Sequence, residues 1–173
     1  MHHLWFHKLR PADWFGGGDR VDALLKERFK HDLETMAQAR AASFLDDPRT
    51  ALAAVLLFDQ VPRNLYRDSA RAFLYDPLAR TIVHGALHRG WDRMLRPQER
   101  QFLFMPLMHS EDIADQELSL ALFRRLPRRL GWDFARSHHR MIARFGRFPH
   151  RNDVLGREST AAEKRAVAAG FSW

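Results

Sequence analysis

The dipeptide Asp-Pro occurs twice in this chain, as Asp47-Pro48 and as Asp76-Pro77. An aspartate side chain can cap the N-terminus of a helix, and proline is favoured in the first turn because its missing N–H needs no partner there. After the second dipeptide, apolar residues recur at helical spacing, at Leu78, Ile82, Val83 and Ala86. Each of the two dipeptides therefore predicts the start of a helix.

Similar signals predict helices along the rest of the chain. Asp19 is the expected N-cap of an early helix, and Asp133 that of a helix ending at Gly146. Thr160 and Glu163 have the spacing of a capping box at the start of the last helix. No run of alternating apolar residues is flanked by hairpin turns. The sequence therefore predicts an all-α fold.

Proline residues set further expected boundaries. The helix that follows Asp47 should stop before Pro62, because the residue before a proline is biased away from the helical conformation. Pro97 should open a helix that ends at about Phe104, and another helix should start between Pro106 and Ser110. We expect about eight helices, packed as antiparallel hairpins in a single domain that spans residues 1–173.

Composition narrows the classes of protein. The chain has no cysteine, which excludes disulfides and thiolate metal sites. Its longest apolar run, 51–58, is too short to cross a membrane and no signal peptide is recognisable, so we expect a cytoplasmic protein without a membrane partner. The net charge is +7, and only four of the 28 basic residues are lysine, which leaves 24 arginines. Arginine pairs well with carboxylate and phosphate, so the excess indicates anionic partners, unless the arginines are solvated or paired internally.

The first candidate site is the segment 59–64, Asp-Gln-Val-Pro-Arg-Asn. Asp59 follows a helix that is apolar almost all round, so its carboxylate should be buried and should meet an arginine, a histidine or a metal. Arg63 and Asn64 are candidate ligand contacts beside it. In the alternative interpretation, Asp59 forms a buried pair with an arginine that joins two helices.

The second candidate site is the segment that contains His109, Glu111 and Gln116. A helix already running from Pro106 would place His109 and Gln116 on one face. A helix starting at Ser110 would instead make that serine its N-cap and would explain Glu111 as a first-turn acid. Capping does not explain His109 or Gln116, and His109 with Glu111 could bind a metal or form an acid–base pair, although two such residues alone are a weak signal.

The third candidate is His138, which shares a helix face with Phe134, Met141 and other apolar residues and should point inward. Such a histidine is either a satisfied core residue or, if Asp59 or Glu111 is its neighbour, part of a site.

We predict no metal site. His84 and His88 lie four residues apart on a polar helix face without a third ligand, which is typical of a solvated face. No phosphate-binding glycine loop, serine nucleophile elbow or zinc-protease motif is present. We assign no cofactor and no reaction.

The fourth candidate site is the loop that follows Gly146. Pro149 imposes an extended conformation on Phe148, the residue before it, and the loop leads into the helix start at Thr160. Guanidinium groups, an imidazole and backbone N–H groups near a helix start can hold an anion. Alternatively, the arginines pair with local acids such as Asp153 and Glu158. The candidate ligands are Arg144, Arg147, His150, Arg151, Asn152 and Arg157.

The chain resembles a bacterial family that is known only as a domain of unknown function with a tetratricopeptide-like α-helical fold. The residues that carry the resemblance include Asp59-Gln60-x-Pro62-Arg63-Asn64, His109-Ser110-Glu111, and the specific string 145–152, Phe-Gly-Arg-Phe-Pro-His-Arg-Asn. The similarity covers nearly the whole chain. It implies a tetratricopeptide-like stack, and it brings no activity, cofactor or catalytic residue.

Three functions are compatible with these motifs. In the first, they converge on a polar pocket that binds a small anion, with His109, Glu111 and His138 as candidate catalytic groups. In the second, the chain is a helical module that binds a protein partner, and the motifs are structural. The third is nucleic-acid binding, which we do not expect because the arginines are interspersed with acids. The oligomeric state is not assigned.

Overall fold

The computed structural model describes residues 1–16 and 18–171, and within these ranges it contains nine α-helices and no β-strand. The predicted all-α fold is therefore confirmed. The helices are α1 (Pro11–Gly16), α2 (Asp19–Met36), α3 (Pro48–Val55), α4 (Val61–Leu65), α5 (Asp76–His88), α6 (Pro97–Met108), α7 (Ile113–Phe123), α8 (Trp132–Phe145) and α9 (Ala161–Ala168).

Short helical segments of other types link these helices. Two are π-helical, Leu4–Lys8 and Leu56–Gln60, and four are 3₁₀ helices, Ala41–Phe44, Ala70–Phe73, Trp91–Met94 and Pro149–Arg151. The chain divides into two compact units, of which the first comprises Met1–Pro106 and the second begins at Leu107. In the described ranges no helix is both long and apolar enough to cross a membrane.

Aromatic side chains around Phe102 form part of the core of the first unit. Trp5 and Trp14 both meet the Phe102 ring edge to face, with centroids 5.5 and 5.1 Å away. The Trp14 indole also donates a 2.9 Å hydrogen bond to the Trp5 carbonyl, which joins α1 to the N-terminal π-helical segment. Edge-to-face pairs add to the stabilisation from burial, so this cluster anchors α1 and the N-terminal segment to α6.

The expected helix starts agree with the structure only in part. Asp47 caps α3, accepting from the Arg49 and Thr50 amides, and Thr160 and Glu163 form the predicted capping box of α9. Three other expected caps, Asp19, Asp76 and Asp133, are wrong, because each lies inside the first turn. A carboxylate there still faces the positive end of the helix dipole. The actual N-caps are Gly18, Tyr75 and Gly131.

The expected helix end before Pro62 is also wrong. The chain continues from α3 through the π-helical segment Leu56–Gln60 into α4, where Pro62 occupies the first turn. At this junction the Val61 amide donates to the Leu56 carbonyl, five residues back. The wider turn lets the proline sit where its missing N–H costs little, so the helical path persists.

The region around Pro106 differs from both expectations. Pro106 lies inside α6, which continues to Met108, and α7 begins only at Ile113. The N-cap of α7 is Asp112, whose carboxylate accepts from the Ala114 amide, while Ser110 accepts from the Asp112 amide. His109 and Glu111 therefore lie in a short connection between two helices rather than on a helix face.

The second unit is built around α8. Its buried face includes Met141 and Ile142, which pack in one cluster with Phe148 and with Ala166 of α9. Gly146 ends α8 in the left-handed conformation, with φ of 67°, which glycine adopts without strain. The chain thereby reverses direction and brings the loop that follows back onto α8 and α9.

Candidate functional site

The polar residues of segment 59–64 hold the first unit together. Asp59 is fully buried, and its carboxylate lies 3.2 Å from the Arg63 guanidinium. Arg63 also binds both carboxylate oxygens of Asp76 at 2.9 Å. The alternative interpretation of Asp59 is thus observed, since one arginine joins the π-helical segment and α4 to the start of α5.

Side chains of α4 also reach back to the backbone of the π-helical segment. Arg63 donates to the Asp59 carbonyl at 2.6 Å, and Asn64 donates to the Gln60 carbonyl at 2.9 Å. Both partners lie four residues earlier. These bonds supply donors to carbonyl groups where the helix changes its winding, so the motif has a structural role within this unit.

Three candidate histidines gather in the second unit around one phenylalanine. The rings of His109 and His138 lie 6.1 Å apart between centroids. Phe148 lies 5.3 Å from His138 and 5.6 Å from His150. We call these four residues the histidine centre. His109 comes from the α6–α7 connection, His138 from α8, and His150 from the loop after α8.

His138 has a defined tautomer. Its Nδ1 lies 2.9 Å from the Phe134 carbonyl, which can only accept, so Nδ1 must carry the proton. Burial, the nearby His109 and the charge of Arg151 lower the pKa of His138 to about 3. The ring is therefore neutral at ordinary pH, and its Nε2 carries a lone pair that can accept a hydrogen bond.

His150 is also held neutral. Burial, followed by the charge of Arg151, lowers the pKa of His150 to about 4, although Glu111 acts in the opposite direction. The Arg151 guanidinium lies over the Phe148 ring, 4.4 Å from its centroid, and the residue is buried. A desolvated cation on an aromatic face is attracted to the ring quadrupole. The centre thus combines neutral imidazoles with a positive charge.

Glu111 ties the loop after α8 to the α6–α7 connection. Its carboxylate accepts two hydrogen bonds from Arg157, at 2.7 and 3.0 Å, and one from the Phe148 amide at 2.8 Å. Burial raises the pKa of Glu111, but the bonds from Arg157 and Phe148 outweigh it and the net pKa is lowered. Glu111 is therefore an ionised anchor that positions Phe148 within the histidine centre.

Gln116 fixes the backbone on both sides of His109. From α7 its side-chain amide donates to the Met108 carbonyl at 2.7 Å and to the Ser110 carbonyl at 2.6 Å. Because both partners are acceptors, the nitrogen must face them and Oε1 must point away. Gln116 is a positioning residue, and this role depends on neither of the two expected helix starts.

Arg147 and Arg157 are occupied by acids from within the unit. Arg147 binds both carboxylate oxygens of Glu163, at 2.6 and 3.0 Å, and also donates to the Glu158 carbonyl. The predicted internal pairing of the loop arginines is thus observed, but through Glu163 and Glu111 rather than through the side chains of Asp153 and Glu158. These two guanidinium groups brace the loop.

Buried acceptor atoms lie in the segments that carry the histidines. Asn152 is fully buried and donates to Ser159, while no donor among the described residues reaches its Oδ1. Gln116 is also fully buried, and no donor among the described residues reaches its Oε1. Buried oxygens of this kind ordinarily have a partner, including water or a ligand.

The structure brings many of the predicted site residues into the second unit and gives them different tasks. His109, His138, His150 and Arg151 form or flank the histidine centre, whereas Arg144 lies on the outer face of α8 and is exposed. Asp59, Arg63 and Asn64 belong to the first unit. Within the described ranges, no group of three or more histidine or acidic side chains could hold a metal ion.

Sequence reasoning missed two contributors to the site. Phe148 was not among the candidate site residues, and Glu163 was expected only to cap a helix. An acid is favoured in the first turn of a helix whatever its partner, so the position of Glu163 did not indicate its pairing with Arg147.

Fold and site together define an all-α protein whose second unit contains the histidine centre, in which His138 and His150 are neutral. The chain belongs to the family described as "Bacterial protein of unknown function (DUF924)", whose model matches residues 1–170. It is similar to the solved structure of a protein of unknown function, ATU0120 from Agrobacterium tumefaciens, with 34% identity and a TM-score of 0.90. The match covers 96% of this chain and 94% of the other. No curated protein matches the chain.

Proposed function

We propose that the protein binds a small anion at the histidine centre. The observation that carries this proposal is the pair of neutral imidazoles, His138 and His150, whose pKa values of about 3 and about 4 reflect burial together with the charge of Arg151. Strongly perturbed pKa values in one cluster are typical of functional sites. Burial is the larger cause of both low pKa values, and the smaller contribution from the charge of Arg151 would favour an anion over a cation at this place.

The fixed tautomer of His138 narrows the class of anion. Its Nε2 accepts a hydrogen bond and cannot donate one while the ring is neutral. A matching ligand therefore carries a negative group for Arg151 and a hydroxyl or other donor for Nε2 of His138. A hydroxy acid and hydrogen phosphate have this chemistry.

Catalysis at this centre is part of the proposal only in a limited form. With a pKa of about 3, the His138 ring is a weak base, so it suits hydrogen-bond acceptance better than proton abstraction at neutral pH. Glu111 is engaged by Arg157 and Phe148, which favours an anchoring role over general acid chemistry. His109 is the remaining acid–base candidate.

A helical interaction module is the second candidate function. The observation that favours it is the internal pairing of Arg63, Arg147, Arg157 and Gln116, which that hypothesis predicts for structural motifs. A tetratricopeptide-like arrangement of the helices and a cytoplasmic location belong to this proposal as well.

Ligand binding can be tested by calorimetry and thermal unfolding at constant ionic strength. We expect glycolate and inorganic phosphate to bind and to raise Tm, and acetate, which lacks the donor, to bind more weakly. His138→Gln and Arg151→Lys should reduce the affinity for glycolate by about tenfold or more, as expected when a charge-assisted or buried hydrogen bond is lost.

His139→Gln is the matched control, because His139 is the next residue on α8 but is only half-buried and lines a different surface. It should leave glycolate binding unchanged. The proposal fails if none of the three anions binds, or if the His138 and His139 variants lose affinity equally. If acetate binds as tightly as glycolate, the inferred role of His138 as a hydrogen-bond acceptor is wrong.

A further inference from the structure

Helix α8 has an exposed, basic face on the side opposite His138. His138 and Met141 are buried, whereas Arg136, Arg140 and Arg144 are exposed and follow one another at intervals of four residues. At a rise of about 1.5 Å per residue, this spacing sets successive guanidinium groups roughly 6 Å apart along the helix. We call these three residues the arginine stripe.

The arginine stripe lines an open groove between α8 and α7. The groove has a volume of about 460 Å³. The side chains that line it besides the stripe are His139 and Ala143 of α8 and Leu120 of α7. Leu120 and Ala143 are the apolar side chains of this lining, and its polar side chains are all arginine or histidine.

The stripe differs from other arginines of the second unit in lacking acids. Arg147, Arg157 and Arg128 each bind a carboxylate. Among residues 1–16 and 18–171, no carboxylate lies within ion-pair distance of any member of the stripe; Arg144 instead stacks over Phe145, 4.9 Å from the ring centroid. The positive charge of this face is therefore not neutralised by the described part of the chain.

The basic surface continues at one end of the groove. Arg124 follows Leu120 by four residues, so it lies on the same face of α7, one turn further along. The turn between α7 and α8 adds Arg125 and Arg129, which are exposed. The sequence intersperses arginines with acids, but the α7–α8 hairpin places three arginines on this groove and three more in and next to its turn.

We infer that this groove binds the phosphate backbone of a nucleic acid. Regularly spaced guanidinium groups match a linear row of phosphates, each of which arginine can bind through two hydrogen bonds. A peptide partner would need apolar anchors at the centre of the interface, and the groove floor offers only Leu120 and Ala143. A membrane surface would need a larger apolar face beside the charges. Nucleic-acid interfaces are strongly positive, as the three arginines make this one.

The inference concerns a different surface from the proposed anion site, and its test is independent of that proposal. Fluorescence anisotropy of the full chain with labelled single-stranded oligothymidylate, at a series of salt concentrations, measures both affinity and its salt dependence. Replacing all three stripe arginines by glutamine should weaken binding and reduce the slope of log K against log salt by about 2, since each lost phosphate contact removes about 0.7.

A control with equal loss of charge separates a built surface from net charge. Arg28→Gln, Arg40→Gln and Arg93→Gln remove three exposed arginines from the first unit, and should leave the slope nearly unchanged. The inference is overturned if the control and the stripe variant weaken binding equally, or if the oligonucleotide does not bind at low salt. It is also overturned if polyglutamate or anionic lipid vesicles bind in a stripe-dependent way and the oligonucleotide does not.

Discussion

Arg157 donates hydrogen bonds to the Glu111 carboxylate from both of its terminal guanidinium nitrogens, at 2.7 and 3.0 Å, although the two residues lie 46 positions apart in the sequence. The same carboxylate accepts from the Phe148 amide, and Arg157 also donates to the Phe148 carbonyl at 3.1 Å. Phe148 is thus held through both of its backbone polar groups. Since the Phe148 ring contacts both His138 and His150, the Glu111–Arg157 pair positions the histidine centre.

Removing this pair should cost more than removing an exposed one. We expect a coupling free energy of about 1–3 kcal/mol between Glu111→Ala and Arg157→Ala, because charged hydrogen bonds in a partly buried site are stronger than surface pairs. The measurement is a double-mutant cycle from urea unfolding. Arg128 and Asp133, whose side chains are 73% and 63% exposed, should couple by less than about 0.5 kcal/mol. Equal coupling in the two cycles would contradict the anchoring role of Glu111.

Gln116→Leu should loosen the connection that carries His109. The substitution leaves two backbone carbonyls without their donor and should lower the free energy of unfolding by about 1–3 kcal/mol. Hydrogen exchange of the amides in residues 109–112 should accelerate more than exchange in the middle of α8. Gln98→Leu, on the exposed surface of α6, is the control. Unchanged exchange near His109 would show that Gln116 does not position it.

Glu163 should make the protein sensitive to acid. Hydrogen bonds from Arg147 and from the Thr160 backbone lower the pKa of Glu163 to about 2, against an ordinary value near 4.5. Its stabilising effect is therefore complete above about pH 4.5 and is lost as the pH falls towards 2. Glu163→Gln should be less stable than the parent at pH 7, with a difference that narrows below pH 4.5. Glu158→Gln, at an exposed site, should show no such convergence.

His138 should oppose folding at mildly acidic pH. Its pKa is about 3 in the folded protein and 6.5 in the absence of the fold, so only the unfolded chain gains this proton between those values. Stability should therefore decline as the pH falls from 6.5, and the decline should be shallower in His138→Gln. Ser137→Ala, one residue earlier on α8, should keep the parental slope. In nitrogen-15 spectra, the imidazole should carry its proton on Nδ1 from pH 5 to 8.

Local patterns predicted the elements of the fold better than their junctions. Asp47 and Thr160 cap helices as expected because an N-cap bond joins residues two or three apart, and sequence spacing alone determines it. Asp76 and Asp133 lie inside the first turns of α5 and α8, where their carboxylates bind Arg63 and Arg128. The Arg63–Asp76 pair joins two helices, and helical spacing does not encode such a tertiary contact.

Some residues of the candidate site were predictable from the sequence, but their roles were not. His138 was expected to point inward, and it does, because it lies with Met141 and Ile142 on the buried face of α8. The pairings of Glu111 with Arg157 and of Arg147 with Glu163 span 46 and 16 residues. Loop closure over such distances follows from packing, so spacing could not assign which acid meets which arginine.

The π-helical turn before Pro62 gives the segment Asp-Gln-x-Pro-Arg-Asn a meaning that is geometric rather than chemical. A π turn holds one residue more than an α turn, so every side chain after it is rotated by roughly 100° relative to an uninterrupted helix. Deleting a single residue between Leu56 and Gln60 would undo this phase shift and swing Arg63 away from Asp76. The first unit therefore depends on the number of residues in this stretch as much as on which residues they are.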